Sequence, residues 1–284
     1  MKLNTWFYSL SWHKAISFHF NTPLKLPFRK LLSDLIDIHG GEKPLCVISD
    51  FFFGWTADVA HDFGIFRLIF SCTGGFGMAC YYSMWLSLPH RFADGDEFLL
   101  PDFPEAGKIH VTQVTPAMLM AGENDPLTIF LQKKLALWRN SDGLLLNTVE
   151  ELDKLGLIYF RRKLGFPFWA IGPLLLSEHD RAKTEEWLPE GFLQNIHEED
   201  KGLVISKWAP QVEILAHKSV AAFISHCRWN SVLESMKYVV PVIGWPIGAD
   251  QLYNAKFLVE QARVCVELGR GVDFEVTHEN SVDI

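Results

Sequence analysis

The sequence predicts an α/β fold built on parallel sheets. Three observations carry this expectation. Short apolar runs of strand length recur along the chain, as in LCVIS, IFRLIFS, GLLLNT and VAAFISH. Strands buried on both faces read this way, without alternation. Stretches with apolar residues at helical spacing lie between the runs. Several runs end in glycine or short polar residues, the end of a parallel strand at which open sheets bind ligands.

PLKLPFRKLLSDLIDI has helical spacing after Pro27, so Phe28 to Ile38 is expected as an amphipathic helix. LCVIS follows as a buried strand with Asp50 at its C-terminal end. Thr56 to Phe63 reads as a helix closed by Gly64, and IFRLIFS as the next strand. Strand, helix and strand within about 30 residues form a βαβ unit. Leu68 to Leu88 is uncharged for 21 residues, long enough for a bilayer, yet seven of them are Gly, Ser or Thr around TGGFG. A short strand, a glycine turn and a helix start are expected there, not a membrane span. Arg91 to Asn124 is charged and Pro-rich and reads as a surface loop. A helix over Pro126 to Asn140, a strand over Gly143 to Thr148 and a helix over Val149 to Lys163 follow, and FWAIGPLLLS breaks at Gly172-Pro173.

Ser177 to Asp200 is polar and reads as a linker with one short helix. Beyond it, GLVISKWAPQ contains a strand, VEILAHK is helical, and VAAFISH is a strand ending at His226. Trp229 to Lys237 is a helix, VVPVIGWP a strand and Gln251 to Gln261 a helix. No internal repeat is present.

With 284 residues, 49% hydrophobic and 21% charged, the chain is globular and of one to two domains. A formal charge of −8 argues against a general nucleic-acid binder, which needs a basic face. Five cysteines without a CxxC pair suggest reduced thiols in a cytosolic protein. Cys227 adjoins His226, but no second Cys/His pair stands at ligand spacing, so no metal site is expected. The N-terminal segment has no clean apolar core or cleavage site, so no signal peptide is expected.

The chemistry concentrates in WAPQVEILAHKSVAAFISHCRWNSVLESMKYVVPVIGWPIGADQ, Trp208 to Gln251. His226, Cys227 and Arg228 follow a strand, and Asn230 and Ser231 open the next helix. A helix N-terminus offers unpaired N–H groups and a positive dipole end, which suits a phosphate. His226 can donate to a phosphate oxygen, Glu234 can pair a ribose diol, and Trp208 can stack on a base. Together these read as a nucleotide diphosphate site. Taken singly, each has a plainer reading. Asn230 or Ser231 serves as a cap, Trp229 and Trp245 as core rings, Glu234 as a solvated residue, and Asp250-Gln251 as a turn.

This segment resembles the donor-binding signature of plant UDP-dependent glycosyltransferases, the secondary-metabolite family, in unbroken register. The match includes WAPQ, His217, Phe223, His226-Cys227, WNS, Glu234, Pro241, Trp245-Pro246 and the closing DQ. LCVISDFFFGWTADVAHDFGI, the TGGFG turn and NSDGLLLNTVEELDKLG through AIGPLLLS resemble the acceptor domain of that family. The resemblance implies two Rossmann-like domains facing a cleft, the GT-B arrangement. The acceptor domain would span 1–177 and the UDP-sugar domain 178–284. It also implies inverting transfer of a hexose, glucose above all, from a UDP-sugar to a hydroxyl of a small lipophilic metabolite such as a flavonoid or terpenoid. Trp208 would stack on uracil, Gln211 would help hold the nucleoside, and Ala209 belongs to the same UDP-sugar site. Glu234 would bind the ribose, and His226, Asn230 and Ser231 the diphosphate. Trp229 (through its backbone), Asp250 and Gln251 would meet the sugar. Asp50 would be the catalytic acid that steadies the imidazolium of a catalytic histidine. UDP-glucose is then a co-substrate, no cofactor or metal is needed, and a cytoplasmic monomer is implied.

The sequence also departs from the family pattern. No Gly-His loop of the expected kind precedes LCVIS, and His13 and His19 stand in the wrong context to be assigned as base. GPLLLSEHDRAK runs almost directly into TEEWLPEGF, where the family has a strand–helix–strand. Both domains are therefore expected to be incomplete, as in a truncated product. Ala221, Arg228 and Val239 stand where the family has glycine. Arg228 either obstructs the diphosphate or contacts it, with obstruction favoured. Three readings remain: an active transferase, an inactive remnant that at most binds UDP-sugar or a full-length relative, or a polypeptide that does not fold stably.

Overall fold

The computed structural model describes residues 24–174, 194, 202–205 and 209–271. Its first half runs α1 (Lys25–Ile38), β1 (Cys46–Asp50), α2 (Thr56–Asp62), β2 (Phe66–Ser71), α3 (Gly75–Ser87), β3 (Glu97–Leu99), β4 (Lys108–His110), α4 (Pro116–Leu119), α5 (Pro126–Ala136), β5 (Gly143–Leu146), α6 (Lys154–Leu164) and β6 (Phe168–Ala170). The expected βαβ unit is present: β1 pairs parallel with β2, from Cys46 opposite Phe66 to Asp50 opposite Phe70. The sheet continues with β5 and β6, all parallel, in the order β1-β2-β5-β6.

α3 is apolar on every side and buries Phe76, Met78, Tyr82, Met84 and Trp85, as a helix does when it is enclosed by neighbours. A Cβ on Gly156 of α6 would overlap the backbone of Gly75 and Phe76. The two helices therefore meet backbone to backbone, which only glycine permits. This is the packing that the glycine-rich start of α3 serves.

The second half runs α7 (Gln211–Leu215), β7 (Phe223–Ser225), α8 (Trp229–Lys237), β8 (Val242–Gly244), α9 (Gln251–Phe257), a π-turn over Leu258–Ala262, and β9 (Cys265–Glu267). β7, β8 and β9 form a parallel sheet in that order. Ile224 on β7 and Val266 on β9 are 62% and 52% exposed, whereas a parallel sheet covered by helices buries such residues.

The two halves share one core. The Phe76 and Phe257 rings pack at 5.6 Å between centroids, tilted by 40°, and Trp229 packs edge-on to Phe257 at 5.9 Å. The Trp229 indole N–H donates to the Asn147 carbonyl at 2.6 Å, and Lys256 Nζ donates to the Lys108 carbonyl at 2.8 Å. The proposed boundary at 177/178 lies outside the described residues.

Several expectations are corrected. The Arg91 to Asn124 stretch is structured: β3 and β4 pair antiparallel, Glu97 opposite His110, and Thr115 caps α4. The helix expected from Val149 starts at Lys154. The cause is Asp153, which turns inward to bind the start of α3 and so breaks the helical path before it. Gly202 to Ile205 form no strand, and most of Ser177 to Asp200 lies outside the described residues. α9 ends at Phe257, where the π-turn takes over, and β9 was not anticipated. No helix among the described residues is long and apolar enough to cross a membrane.

Candidate functional site

The site gathers at the carboxyl ends of the strands and at the start of α8. Arg228 is the N-cap of α8, with ordinary extended torsions of φ −66° and ψ 139°, and no side chain caps the helix. The N–H groups of its first turn have no protein partner among the described residues and carry the positive end of the helix dipole. The torsional reason for a glycine at 228 does not apply, since the backbone there is one that any residue adopts. Arg228 is exposed and projects its charge towards His226, Asp250 and Cys72.

Ser231 and Glu234 are three apart on α8 and share a face. Gln211, at the start of α7, reaches both: its amide donates to Glu234 Oε2 at 2.7 Å and to Ser231 Oγ at 3.3 Å. Ala209 accepts the Gln211 N–H at 2.8 Å, which sets the approach of α7. Asn230 meets the Asn147 amide at 3.5 Å, across from the first half. The Trp229 ring is buried beneath Gly74, where a Cβ would lie 2.8 Å from the indole. Trp229 thus anchors the first turn of α8 in the core. Trp208 lies outside the described residues.

His226 is half-buried, and burial with the Arg228 charge lowers its pKa, so it is neutral at neutral pH. Cys227 adopts φ +63°, the left-handed region, and a hydrogen bond between its free thiol and that of Cys265, together with burial, pushes its pKa far up. It is a structural thiol and not a nucleophile. Asp250 is buried, and burial raises its pKa against the opposing Asn254 hydrogen bond and Arg228 charge. Gln251 uses its side-chain oxygen to accept the Ile247 and Gly248 N–H groups, both at 3.0 Å, and its NH2 group makes no hydrogen bond among the described residues. Its turn-capping role and a ligand role therefore coexist.

Asp50 stands at the end of β1 and accepts the Phe52 N–H at 2.9 Å. Its residue surface is exposed, yet the packing around the carboxyl is dense enough that burial raises its pKa, with the Arg67 charge opposing. Arg67 is wholly buried and donates to Ser49 Oγ, Thr56 Oγ1 and the Asp50 carbonyl, which fixes the end of β1. No histidine is hydrogen-bonded to Asp50 among the described residues, and His13 and His19 lie outside them. Cys72, at the end of β2, feels both Asp50 and Asp250, so the topology brings the two carboxylates to one neighbourhood. Sequence reading missed Cys72, Asn147 and Asn254. The strand-end position of Cys72 and Asn147 was the signal available for them. Among the described residues, no three His, Cys, Asp or Glu side chains group as metal ligands do.

The comparisons with known proteins follow this geometry. Residues 189–270 match the family model described as UDP-glucoronosyl and UDP-glucosyl transferase. The chain is 35% identical to UDP-glycosyltransferase 92A1 of Arabidopsis thaliana, over 91% of this chain and 67% of that one. It is 31% identical to crocetin glucosyltransferase 3 of Crocus sativus, over 87% and 68%. It thus spans about two thirds of the length of these relatives. The first alignment runs over 326 residues, more than the 284 this chain contains, so the relative carries segments that this chain lacks within the matched region. Among solved structures, UGT73P12 of Glycyrrhiza uralensis, complexed with glycyrrhetinic acid 3-O-monoglucuronide, superposes with a TM-score of 0.74 at 22% identity, over 90% of this chain and 66% of that one. UGT71G1 of Medicago truncatula, complexed with UDP-glucose, gives 0.70 at 25% identity, over 89% and 69%. With two parallel α/β halves in the GT-B arrangement and these relatives over most of its length, the chain belongs to the UDP-glycosyltransferase family of plants.

Proposed function

We propose that the chain takes a UDP-hexose, glucose above all, and transfers the sugar with inversion to a hydroxyl of a small lipophilic metabolite. The observation that supports this best is the Gln211–Ser231–Glu234 cluster beside the uncapped start of α8. Glu234 and Gln211 would hold the ribose and nucleoside. Ser231, Asn230 and neutral His226 would meet the diphosphate with hydrogen-bond donors, and the dipole of α8 would offset its charge, so that the leaving UDP needs no metal. Asp250 and the free amide of Gln251 would bind sugar hydroxyls. The acceptor oxygen would attack the anomeric carbon as UDP departs, its proton passing to a base steadied by Asp50. The UDP-glucose complex of the Medicago protein and the glycyrrhetinic acid 3-O-monoglucuronide complex of the Glycyrrhiza protein support a sugar donor and a small acceptor. A cytoplasmic monomer is part of the same proposal.

A second reading is donor binding without transfer. It is favoured by the lack of any histidine bonded to Asp50 among the described residues. One experiment separates the readings. The purified chain is melted with and without millimolar UDP-glucose, then incubated with UDP-glucose and a panel of flavonoid and terpenoid alcohols while UDP release is followed. Ligand that binds only the folded state raises the midpoint. A raised midpoint with UDP release that Asp50→Ala abolishes supports the transferase. A raised midpoint without release leaves only the binding reading. An unmoved midpoint overturns both.

A further inference from the structure

Asn254 sits on α9, wholly buried, at the point where three parts of the site converge. Its amide nitrogen donates one hydrogen to the Cys227 carbonyl and the other to Asp250 Oδ2, each at 3.0 Å. Both donors of the side chain are thereby used. Its oxygen is buried and has no hydrogen-bond partner among the described residues. That oxygen faces Gly77 of α3, so closely that a Cβ on Gly77 would overlap it. An unsatisfied buried carbonyl is unfavourable, and here it is held in place by the bonds on the other side of the amide.

The Cys227 bond matters because of the backbone it grips. Cys227 has φ +63°, a torsion that an L-residue keeps only when its surroundings enforce it. Its N–H donates to Ser225 Oγ at 3.1 Å and its carbonyl is taken by Asn254. The carbonyl of one peptide and the N–H of the next residue point in opposite directions across a planar unit. Holding the Cys227 carbonyl inward therefore turns the Arg228 N–H away from Asn254. That N–H makes no hydrogen bond among the described residues and lies next to the unpaired first turn of α8.

We infer that Asn254 is a positioning residue: it fixes the Cys227–Arg228 peptide so that the Arg228 N–H and the first turn of α8 are presented to the donor diphosphate, and it ties that loop to Asp250. The inference rests on the donor-binding reading above for its ligand, but not for its geometry. It touches no substrate itself.

The test measures binding of UDP and of uridine by calorimetry, and the rate at which Cys227 is alkylated by iodoacetamide, mapped by peptide mass. Asn254→Ala is expected to weaken UDP roughly tenfold, the size of one lost hydrogen bond of ordinary strength, and to leave uridine nearly unchanged. Equal losses for UDP and uridine, or no loss, overturn the assignment. Gly77→Ala displaces the Asn254 side chain from the opposite face and is expected to give the same UDP-selective loss. Combined with Asn254→Ala it should add nothing further, and additive losses overturn the coupling. If the unaltered chain binds no UDP, the donor reading fails, and the alkylation decides the positioning role. Cys227 is wholly buried, so it should react at least about tenfold faster in Asn254→Ala; equal rates overturn the role. Asn254→Ser, which keeps one donor, replaces the alanine variant where the latter does not melt cooperatively.

Discussion

Two strand-to-helix junctions occupy equivalent places in the two halves, and they have opposite fates. α3 begins after β2 with Gly74 as its N-cap, at φ −68° and ψ 155°. α8 begins after β7 with Arg228 as its N-cap, at φ −66° and ψ 139°. The backbones are alike, and each helix start could hold an anion. At α3 a carboxyl group of the chain already fills that place. Buried Asp153 accepts the Gly75 N–H, the Phe76 N–H at 2.8 Å and the Thr148 hydroxyl at 3.2 Å. At α8 no side chain fills the place. A shared fold does not confer a shared site; what differs is whether the chain places its own carboxyl group there. The first half uses its helix start to lock α6 against α3, and the second leaves its helix start open among the described residues.

The largest expected effect follows from removing the internal carboxyl group. Asp153→Ala strands two buried N–H groups and a hydroxyl, each costing about 1–3 kcal/mol when unsatisfied, so a loss of roughly 3–5 kcal/mol is expected in urea melts. A loss under about 1 kcal/mol would mean that α3 does not depend on the plug. Burial pushes the Asp153 pKa up to about 7 from 3.8, against the three hydrogen bonds that favour its charge. The folded state then holds a proton that the unfolded state has released, so this residue's contribution is full below about pH 4 and declines as the pH rises to about 7. Asp50 and Asp250 are shifted in the same direction, and Asp102 and Asp142 in the other. The Asp153 part is therefore read as the difference between the urea midpoints of the parent and Asp153→Asn from pH 4 to 8. A difference that does not change with pH would refute it.

The next effect comes from making α8 resemble α3. Arg228→Asp places a good N-cap carboxylate at the open helix start. It is expected to stabilise the chain by about 0.5–1 kcal/mol. The same carboxylate would repel the diphosphate, and UDP binding should fall by roughly a hundredfold in calorimetry. A variant that gains stability and still binds UDP would show that the diphosphate does not use the start of α8.

A smaller effect is expected one turn further on. Glu234→Ala removes the partner of Gln211 and the proposed ribose acceptor, and should weaken UDP roughly tenfold with under about 1 kcal/mol of stability change. Equal affinity in the variant would remove Glu234 from the site and leave its bond with Gln211 as a helix–helix tie.

The same pair of junctions shows how far the sequence could be read. Trp229 to Lys237 was foreseen residue for residue, because WNSVLESMK has helical spacing and follows a clear strand. Gln211, Ser231 and Glu234 are candidates from the family motif and Asp50 from its strand-end position and the same resemblance, all local signals, and the fold brings the first three together. The start of α6 was misplaced because VEELDKLG has a good local helical pattern, while Asp153 is claimed by α3, 77 residues away. The β3–β4 hairpin has three-residue strands in a Pro-rich segment, too short to show a period. Asn254 reads as one more polar residue on a helix, and only the fold brings it to Cys227 and Asp250. Of the two reasons for a glycine, close approach or an unusual torsion, the torsion does not apply at Arg228 and does apply at Val239, at φ +57°.

The smallest expected effect concerns the far ends of the same helices. α6 closes on Gly165, at φ +72°, the left-handed position that glycine occupies without strain. α8 closes with the Val239 N–H bonded to the Met236 carbonyl and the Val240 N–H to the Ser235 carbonyl. These are the two bonds of a Schellman motif, and they put Val239 at φ +57°. A branched side chain resists that torsion, by roughly 1–2 kcal/mol for an ordinary L-residue. Val239 is 86% exposed, so its side chain gives little packing in return. Glycine would relieve the strain but raise the entropy of the unfolded chain by roughly 0.5–1 kcal/mol. Val239→Gly is therefore expected to stabilise the chain by about 0.5–1 kcal/mol, read as a higher urea midpoint at unchanged slope. A lower midpoint would mean that α8 does not end in the left-handed turn that α6 shows, and the likeness of the two helices would stop at their first residues.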